Sequence, residues 1–121
     1  LSSDASTIAI PFLRYGDATK DSQGVLVLDT KNGTELSTWK GIKTWKLAFV
    51  PDSHLLVASD GGAICLGDAR AAMPKARVEV VKDSGEVYQI AISPNCRQLA
   101  VGTSAGAFVY ELAELLAACS L

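Results

Sequence analysis

Residues 46–59 read KLAFVPDSHLLVAS, and residues 89–102 read QIAISPNCRQLAVG. The two stretches lie 43 residues apart and share one pattern. Each has an apolar–Ala–apolar triplet, a Pro one residue later (Pro51 and Pro94), a polar turn and a second apolar run. A fixed period of roughly 20–50 residues is typical of repeat architectures, so the repeat outweighs the interpretation of any single segment.

Short apolar runs bounded by turn-forming residues cover most of the chain and favour β-strands. A polar hairpin loop is predicted over Gly16–Gln23, and Asn32-Gly33 favours a second hairpin, because a type I′ turn needs positive φ at both central residues. The predicted strands are Thr7–Leu13, Val25–Asp29, Glu35–Lys40, Thr44–Val50, Leu55–Ser59, Ala63–Gly67, Ala76–Lys82, Glu86–Ile92, Arg97–Thr103 and Ala107–Leu112.

The predicted strands group into three copies of one four-strand unit. Residues 4–10 align with residues 95–101, which places the start of the chain in the same scheme. The first copy lacks its opening strand, and the third lacks a clear closing strand. Residues 112–121 stand where that closing strand belongs, and we predict a strand there although their Ala, Leu and Glu content favours a helix.

Composition narrows the class of protein. Eleven basic and thirteen acidic residues give a net charge of −2, which argues against general binding to nucleic acid or anionic membranes. No apolar run approaches the roughly 18 residues that a membrane-spanning helix needs. The three cysteines form no C-x-x-C pair and fit no disulfide framework. We therefore expect reduced thiols and an intracellular location, cytoplasmic or nuclear.

The turns between the strands follow a further pattern. A Pro-Asp-like turn comes after the first strand of a unit, at Val50-Pro51-Asp52 and Ser93-Pro94-Asn95, and a Gly-containing turn comes after the second, at Asp60-Gly61-Gly62 and Ser104-Ala105-Gly106. With this period and these turns, residues 4–112 resemble the WD-repeat (Trp-Asp repeat) β-propeller family.

The chain departs from the family in its signature residues. The third strand of a unit ends in Leu28-Asp29, Leu66-Gly67-Asp68 or Tyr110-Glu111, so each copy keeps the acid and none keeps the Trp. The family's Gly-His pair is missing as well, and Gly41-Ile42 and Ser84-Gly85 stand near its place.

The resemblance implies an all-β fold of propeller blades with four antiparallel strands each, about two and a half blades being present. Residues 1–121 then form a partial β-propeller, with an incomplete blade over 1–40, a complete blade over 44–82 and a third over 86–121. Propellers close about four to eight blades into a ring, and the two end blades here would expose apolar faces. We expect the chain to be a piece of a longer propeller, or to complete its ring with other chains.

Four residues are predicted to bind a partner: Trp45, Tyr88, Lys43 and Lys46. The resemblance places Trp45 and Tyr88 at equivalent positions on the face where partners dock, and aromatic residues are enriched among interface hot spots. Lys40, Lys43 and Lys46 surround Trp39 and Trp45 and could hold an acidic peptide or phosphates. Packing between blades for the aromatic residues, and ordinary solvation for the lysines, are the alternatives.

We predict no catalytic, cofactor-binding or metal-binding residues. His54, the one histidine, is interpreted as a surface turn residue, and Ser53 lies too close in sequence to be its catalytic partner. Asp60-Gly61-Gly62 is interpreted as a turn rather than a phosphate or cation loop. The acids Asp29, Asp68 and Glu111 are interpreted as hydrogen-bond acceptors at strand ends.

The predicted function is a non-catalytic protein–protein interaction scaffold, part of a propeller within a larger complex. Its partners would be other protein chains or the rest of the same propeller, and no cofactor is expected. One alternative is a self-assembling structural fragment in which several copies close a ring. Another is a propeller enzyme, such as a quinone-dependent dehydrogenase or a hydrolase, although the predicted inner strands carry almost no charge.

Overall fold

The computed structural model describes residues 1–13, 23–81 and 85–121. The fold is all-β, as predicted: 52% of the described residues lie in strands, and these residues include one short helix. The elements are β1 (Thr7–Leu13), β2 (Gln23–Asp29), β3 (Glu35–Lys40), β4 (Leu47–Phe49), β5 (Leu55–Asp60), β6 (Ala63–Asp68), β7 (Ala76–Glu79), β8 (Val87–Ile92), β9 (Gln98–Thr103), β10 (Gly106–Glu111) and α1 (Leu112–Ala118).

The strands form three antiparallel sheets that follow one another along the chain. The first sheet has the order β1-β2-β3, the middle sheet β4-β5-β6-β7 and the third sheet β10-β9-β8. All ten predicted strands are present, although Thr44–Val50 and Ala76–Lys82 are shortened to Leu47–Phe49 and Ala76–Glu79. Over the described residues the three sheets do not close into a ring.

The β2–β3 hairpin is confirmed, but its predicted type I′ turn is wrong. Gly33 has a φ of 72°, whereas Asn32 has no positive φ. The Asp29 N–H donates to the Thr34 carbonyl at 2.9 Å, which closes a four-residue loop. The Oδ1 of Asn32 accepts hydrogen bonds from the N–H and the hydroxyl of Thr34 at 3.1 and 2.7 Å. This side-chain turn replaces the one that positive φ at Asn32 would have made.

The turns before β1 and β9 have the same geometry, as the alignment of the two segments predicts. In each, a Ser hydroxyl donates to the Oδ1 of the acid or amide two residues later, at 2.8 Å for Ser2–Asp4 and 2.7 Å for Ser93–Asn95. The residue that follows has a φ of 60° in both turns. The two segments therefore form the same turn although few of their residues are identical.

The middle sheet is buried on both faces. In β5, Leu56 packs toward the first sheet and Val57 toward the third, and both are fully buried. One core, between the first and middle sheets, contains Ala9, Val25, Val27, Trp39, Ile42, Leu56, Ala58, Cys65 and Ala69. The other, between the middle and third sheets, contains Val50, Val57, Ile64, Leu66, Val87, Ile90, Leu99, Val101, Leu112 and Leu115. Burial on both faces explains why its two inner strands, β5 and β6, are mainly continuous apolar runs.

The outer faces of the first and third sheets are only partly covered. On the first sheet, Ile10 and Leu36 point away from the core and are 39% and 38% exposed. On the third sheet, Val109 is 63% exposed and lies beside Ala100, its partner in the register. Contiguous exposed apolar faces mark places where another surface packs.

The strand that we predicted over residues 112–121 is wrong, because Leu112–Ala118 form α1. Leu112 and Leu115 lie three residues apart, which puts both on one side of the helix, and both join the core beside the third sheet. Helix propensity prevails over the position of this segment in the repeat. No helix among the described residues has the length and apolar character needed to cross a membrane.

Two other predictions fall wholly or partly on residues that are not described. Most of the loop over Gly16–Gln23 lies outside the described residues, and Gln23 itself begins β2. Ser84 of the Ser84-Gly85 pair also lies outside them. The tight turn at Asp60-Gly61-Gly62 is confirmed, with Gly61 at a φ of 60° between β5 and β6.

Burial of the middle sheet predicts unequal costs for two leucine truncations. Leu66→Ala removes a fully buried side chain of β6 and should lower the free energy of unfolding by about 2–5 kcal/mol. Leu36→Ala, on the outer face of the first sheet, should cost less than about 1 kcal/mol, because its side chain already contacts water. Urea denaturation of both variants checks this. Equal costs would show that β6 does not lie between two packed sheets.

Candidate partner-binding site

A cavity of about 300 Å³ lies where the end of β1 meets the segment between β3 and β4. Its walls are mainly apolar, with one amide and one cation at the rim. The lining residues are Pro11, Phe12, Leu13, Gln23, Lys43, Thr44 and Trp45. The structure thus brings together two of the four residues that we predicted to bind a partner, Lys43 and Trp45.

The exposed indole of Trp45 sits on a firmly held backbone. Trp45 is 60% exposed, and it precedes β4 instead of lying within the first strand of its unit, as we predicted. The Oγ of Ser59, a fully buried residue, accepts hydrogen bonds from the N–H groups of Trp45 and Lys46 at 2.9 and 3.0 Å. The Thr44 hydroxyl donates to the Ser59 carbonyl at 2.8 Å. Because the backbone at Trp45 is already ordered, less conformational entropy is lost there when a partner binds.

Lys43 links the middle sheet to the third. Its N–H donates to Oδ1 of Asp60 at 3.0 Å, and its Nζ lies 2.8 Å from Oε1 of Glu86. The Lys43 side chain is 50% exposed, so this ion pair stabilises the fold by only about 0–1 kcal/mol. Because the cation already has a carboxylate partner, phosphate binding by Lys43 would first have to displace Glu86.

Tyr88 and Lys46 do not line the cavity. Tyr88 stands at an irregularity of the β8–β9 register, between Val87 and Gln89, and is 56% exposed. A bulge of this kind redirects a side chain away from the sheet. Lys46 is exposed beside Trp45. The four predicted residues therefore contribute to the surface individually rather than as one lined pocket.

The predicted cluster of lysines around two tryptophans loses Trp39. Trp39 is fully buried, and its Nε1 donates to the Ala71 carbonyl at 3.0 Å. It faces inward because it lies opposite Val25 in the register, on the core side of the first sheet. Only Trp45 is left to act with the lysines at the surface.

His54 lies in the turn before β5, as predicted, but it is only partly exposed. It contributes to two further cavities, one of about 380 Å³ bounded by Leu116 and Leu121 of the C-terminal segment and one of about 270 Å³ bounded by Ser3 and Asp4. Among the described residues its Nδ1 is buried without a hydrogen-bond partner.

The groups near His54 are engaged in local structure. The Ser53 hydroxyl donates to the Val50 carbonyl at 2.8 Å and accepts from the Leu55 N–H at 3.1 Å. Hydrogen bonds from Ser6 and Ser2 lower the pKa of Asp4 to about 2. In the parts of the chain that the structure describes, no group of three or more His, Cys, Asp or Glu side chains could hold a metal ion.

Two of the three strand-end acids act as predicted. The Oδ1 of Asp29 accepts from the Lys31 N–H at 2.8 Å, and the Oδ1 of Asp68 accepts from the Arg70 N–H at 2.9 Å. Glu111 does not act as such an acceptor, because it stands at the start of α1 and its side chain makes no capping hydrogen bond. The third unit diverges from the other two at this residue.

Sequence reasoning missed Phe12, Leu13 and Ser59. The first two wall the cavity, and Ser59 fixes the backbone of Trp45. Ser59 could have been found from its position, since a polar residue at the end of a buried apolar run needs a hydrogen-bond partner. No sequence signal connects Phe12 with Trp45, because the cavity that both residues line depends on how two sheets pack.

A scan of the sequence against models of known protein families finds no match. A search of curated proteins also finds no significant match. The resemblance to WD-repeat propellers therefore stays a prediction.

The three cysteines are free, and they should differ sharply in reactivity. Burial, followed by the charge of Asp60, raises the pKa of the Cys65 thiol to about 12. Because the thiolate is the reactive form, Cys65 should not react with Ellman's reagent at pH 8, whereas the partly exposed Cys96 and Cys119 should. Titration should count two thiols in the native protein and three in urea. Cys65→Ala is the control and should leave the native count at two. Three fast native thiols would contradict the burial of Cys65.

Proposed function

We propose that this chain is a non-catalytic protein-interaction module built from propeller-like blades. The observation that supports it is the stacking of the sheets: the middle sheet is covered on both faces, whereas each flanking sheet turns a partly exposed apolar face outward. Burying one large apolar side chain stabilises a complex by roughly 1.5–3 kcal/mol. Such faces favour a function in which further protein surface packs on the stack.

The cavity beside Trp45 is the proposed point of recognition. Its apolar walls suit an apolar side chain of the partner, and the exposed indole of Trp45, whose backbone Ser59 holds, supplies an aromatic anchor. Tyr88, at the equivalent position one unit later, is a second exposed aromatic side chain, on the third sheet. The cytoplasmic or nuclear location belongs to the same proposal.

Replacing both aromatic anchors tests the proposal. The variant Trp45→Ala/Tyr88→Ala should retain proteins from a cell lysate at least about tenfold more weakly than the original chain. Its far-UV circular dichroism should not change, since both side chains are more than half exposed. Quantitative mass spectrometry of the retained proteins measures the effect.

Met73→Ala is the matched control, because Met73 is 70% exposed in the connection between β6 and β7, away from the cavity. It should retain the same proteins as the original chain. Equal retention by the double variant and this control would place the docking surface elsewhere.

Self-assembly is a second candidate function, supported by the two outer faces. Ile10 lies on the face of the first sheet that corresponds to the Ala58 face of the middle sheet, and Ala100 corresponds to Val57 on the opposite face. Within the chain, a face of the first type packs against a face of the second type twice, once between each pair of adjacent sheets. The two exposed faces are therefore one of each type. Copies of the chain could stack on one another through these halves.

Molecular mass in solution distinguishes this second candidate. Light scattering should show a defined oligomer at micromolar concentration, and Ile10→Glu should convert it to monomer by placing a charge on the apolar face. Met73→Glu, which adds the same charge elsewhere, should leave the oligomer intact. A monomeric original chain would eliminate self-assembly.

A further inference from the structure

Asn32 precedes a glycine at the tip of the β2–β3 hairpin. The chain has two asparagines, and the other, Asn95, precedes Cys96. Asn32, Gly33 and Thr34 are all exposed to solvent. A Cβ added to Gly33 would meet no atom of the described residues within 4 Å, apart from those of its two neighbours in the chain. The bond between Asn32 and Gly33 is therefore uncrowded.

An asparagine before glycine can react with the main chain. The glycine nitrogen attacks Cγ of the asparagine and closes a succinimide ring, and the side-chain nitrogen leaves as ammonia with the proton of the glycine N–H. Water then breaks one of the ring C–N bonds. Breakage at Cγ gives aspartate, and breakage at the main-chain carbonyl carbon gives isoaspartate. Glycine favours the attack, because it has no Cβ beside the nitrogen.

The closed loop directs the Gly33 nitrogen away from this reaction. A peptide nitrogen is planar, and in the succinimide it stays planar with Cγ in the place of the hydrogen. In the structure the Gly33 N–H donates to the Asp29 carbonyl at 2.8 Å, so the Asp29 oxygen occupies that direction. Ring closure requires this hydrogen bond to break and Cγ of Asn32 to move into its place.

The side chain of Asn32 is held in position as well. Its Oδ1 accepts from the N–H and the hydroxyl of Thr34 at 3.1 and 2.7 Å, which keeps the amide turned toward Thr34. Two donors at Oδ1 also polarise the Cγ carbonyl, as donors in an oxyanion hole do. Polarisation cannot promote an attack while the Gly33 N–H faces Asp29. The net effect of the closed loop is therefore protection.

We propose that Asn32 is a deamidation site that the hairpin loop protects, so that it reacts with Gly33 only when the loop opens. Water is the co-reactant, and ammonia is the leaving product. Every hydrogen bond that this argument uses lies within Asp29–Thr34. The site is thus independent of the aromatic residues in the proposed interaction function.

The reaction would make a transient opening permanent. Local opening of a loop is reversible, whereas isoaspartate carries the main chain through Cβ and lengthens the loop. The Asp29 N–H, which now donates to the Thr34 carbonyl at 2.9 Å, could not then close the loop in the same geometry. Isoaspartate at position 32 would therefore record that the hairpin had opened.

The first experiment compares the folded and unfolded 121-residue chain. Mass spectrometry of the proteolytic peptide that contains Asn32 measures deamidation in buffer and in guanidinium chloride at the same pH. Deamidation should be at least about tenfold slower in the folded chain, because more than one hydrogen bond must break before the ring can close. Asn95 is the internal control and should stay unmodified in guanidinium chloride while Asn32 reacts, since a side chain follows it.

The second experiment changes the side chain that holds Asn32. Thr34→Val removes the hydroxyl donor, keeps the branched shape and should speed deamidation of the folded chain about two- to tenfold. Thr34→Ser keeps the hydroxyl and is the matched control, with a rate within about twofold of the original chain. In guanidinium chloride the three chains should react equally, because the loop is absent there.

Hydrogen exchange at Gly33 provides a second readout of the same opening. In the Thr34→Val variant the Gly33 N–H should exchange faster by the factor found for deamidation, because both reactions need the bond to Asp29 broken. Equal deamidation in the folded and unfolded chain would overturn the proposal. Slower deamidation of Thr34→Val in the folded chain would overturn it too, because the hydroxyl would then promote the reaction by polarising Cγ.

Discussion

The structure depends on one constraint: the middle sheet has two apolar faces, and both must be kept from water. Leu56 and Val57 are consecutive, fully buried and point in opposite directions, so neither the first nor the third sheet alone could bury them both. Each sheet is therefore stable only beside its neighbours, as in other repeat structures where the interfaces between units supply much of the stability. The partly exposed outer faces are the direct consequence at the two ends of the stack.

Polar contacts at the end of β5 complement this apolar packing. Asp60 accepts a hydrogen bond from the Lys43 N–H at 3.0 Å through Oδ1, and its Oδ2 lies 3.0 Å from Nε of Arg77. It thus joins the segment before β4 to β7 across the sheet. Ser59, the preceding residue, holds the backbone at Trp45. The middle sheet, which lacks the Trp and Gly-His signature of the WD-repeat family, therefore still has hydrogen bonds that fix its strands relative to one another.

The strands could be predicted from the sequence because apolar runs and turn residues are local signals. The structure of residues 112–121 could not be predicted, because two signals conflicted. Their position in the repeat favoured a strand, whereas their Ala, Leu and Glu content favoured the helix that forms. The type I′ turn was wrong for a related reason, because the Asn32 side chain bonds to Thr34 and removes the need for positive φ.

The candidate site was only half predictable. Trp39 and Trp45 look alike in the sequence, but the register of β3 buries Trp39 and leaves Trp45 at the surface. The cavity beside Trp45 joins residues of β1 with the segment before β4, and contacts between sheets leave no local mark in the sequence. The repeat predicted which residues are equivalent, but it did not predict how the burial and the neighbours of equivalent residues differ.

Those differences decide where the molecule can associate. The outer face of the first sheet carries Ile10 and Leu36, whereas that of the third carries Val109 beside the small Ala100. Because the two faces differ, the self-assembly proposed above would join unlike surfaces, head to tail, rather than across a two-fold axis.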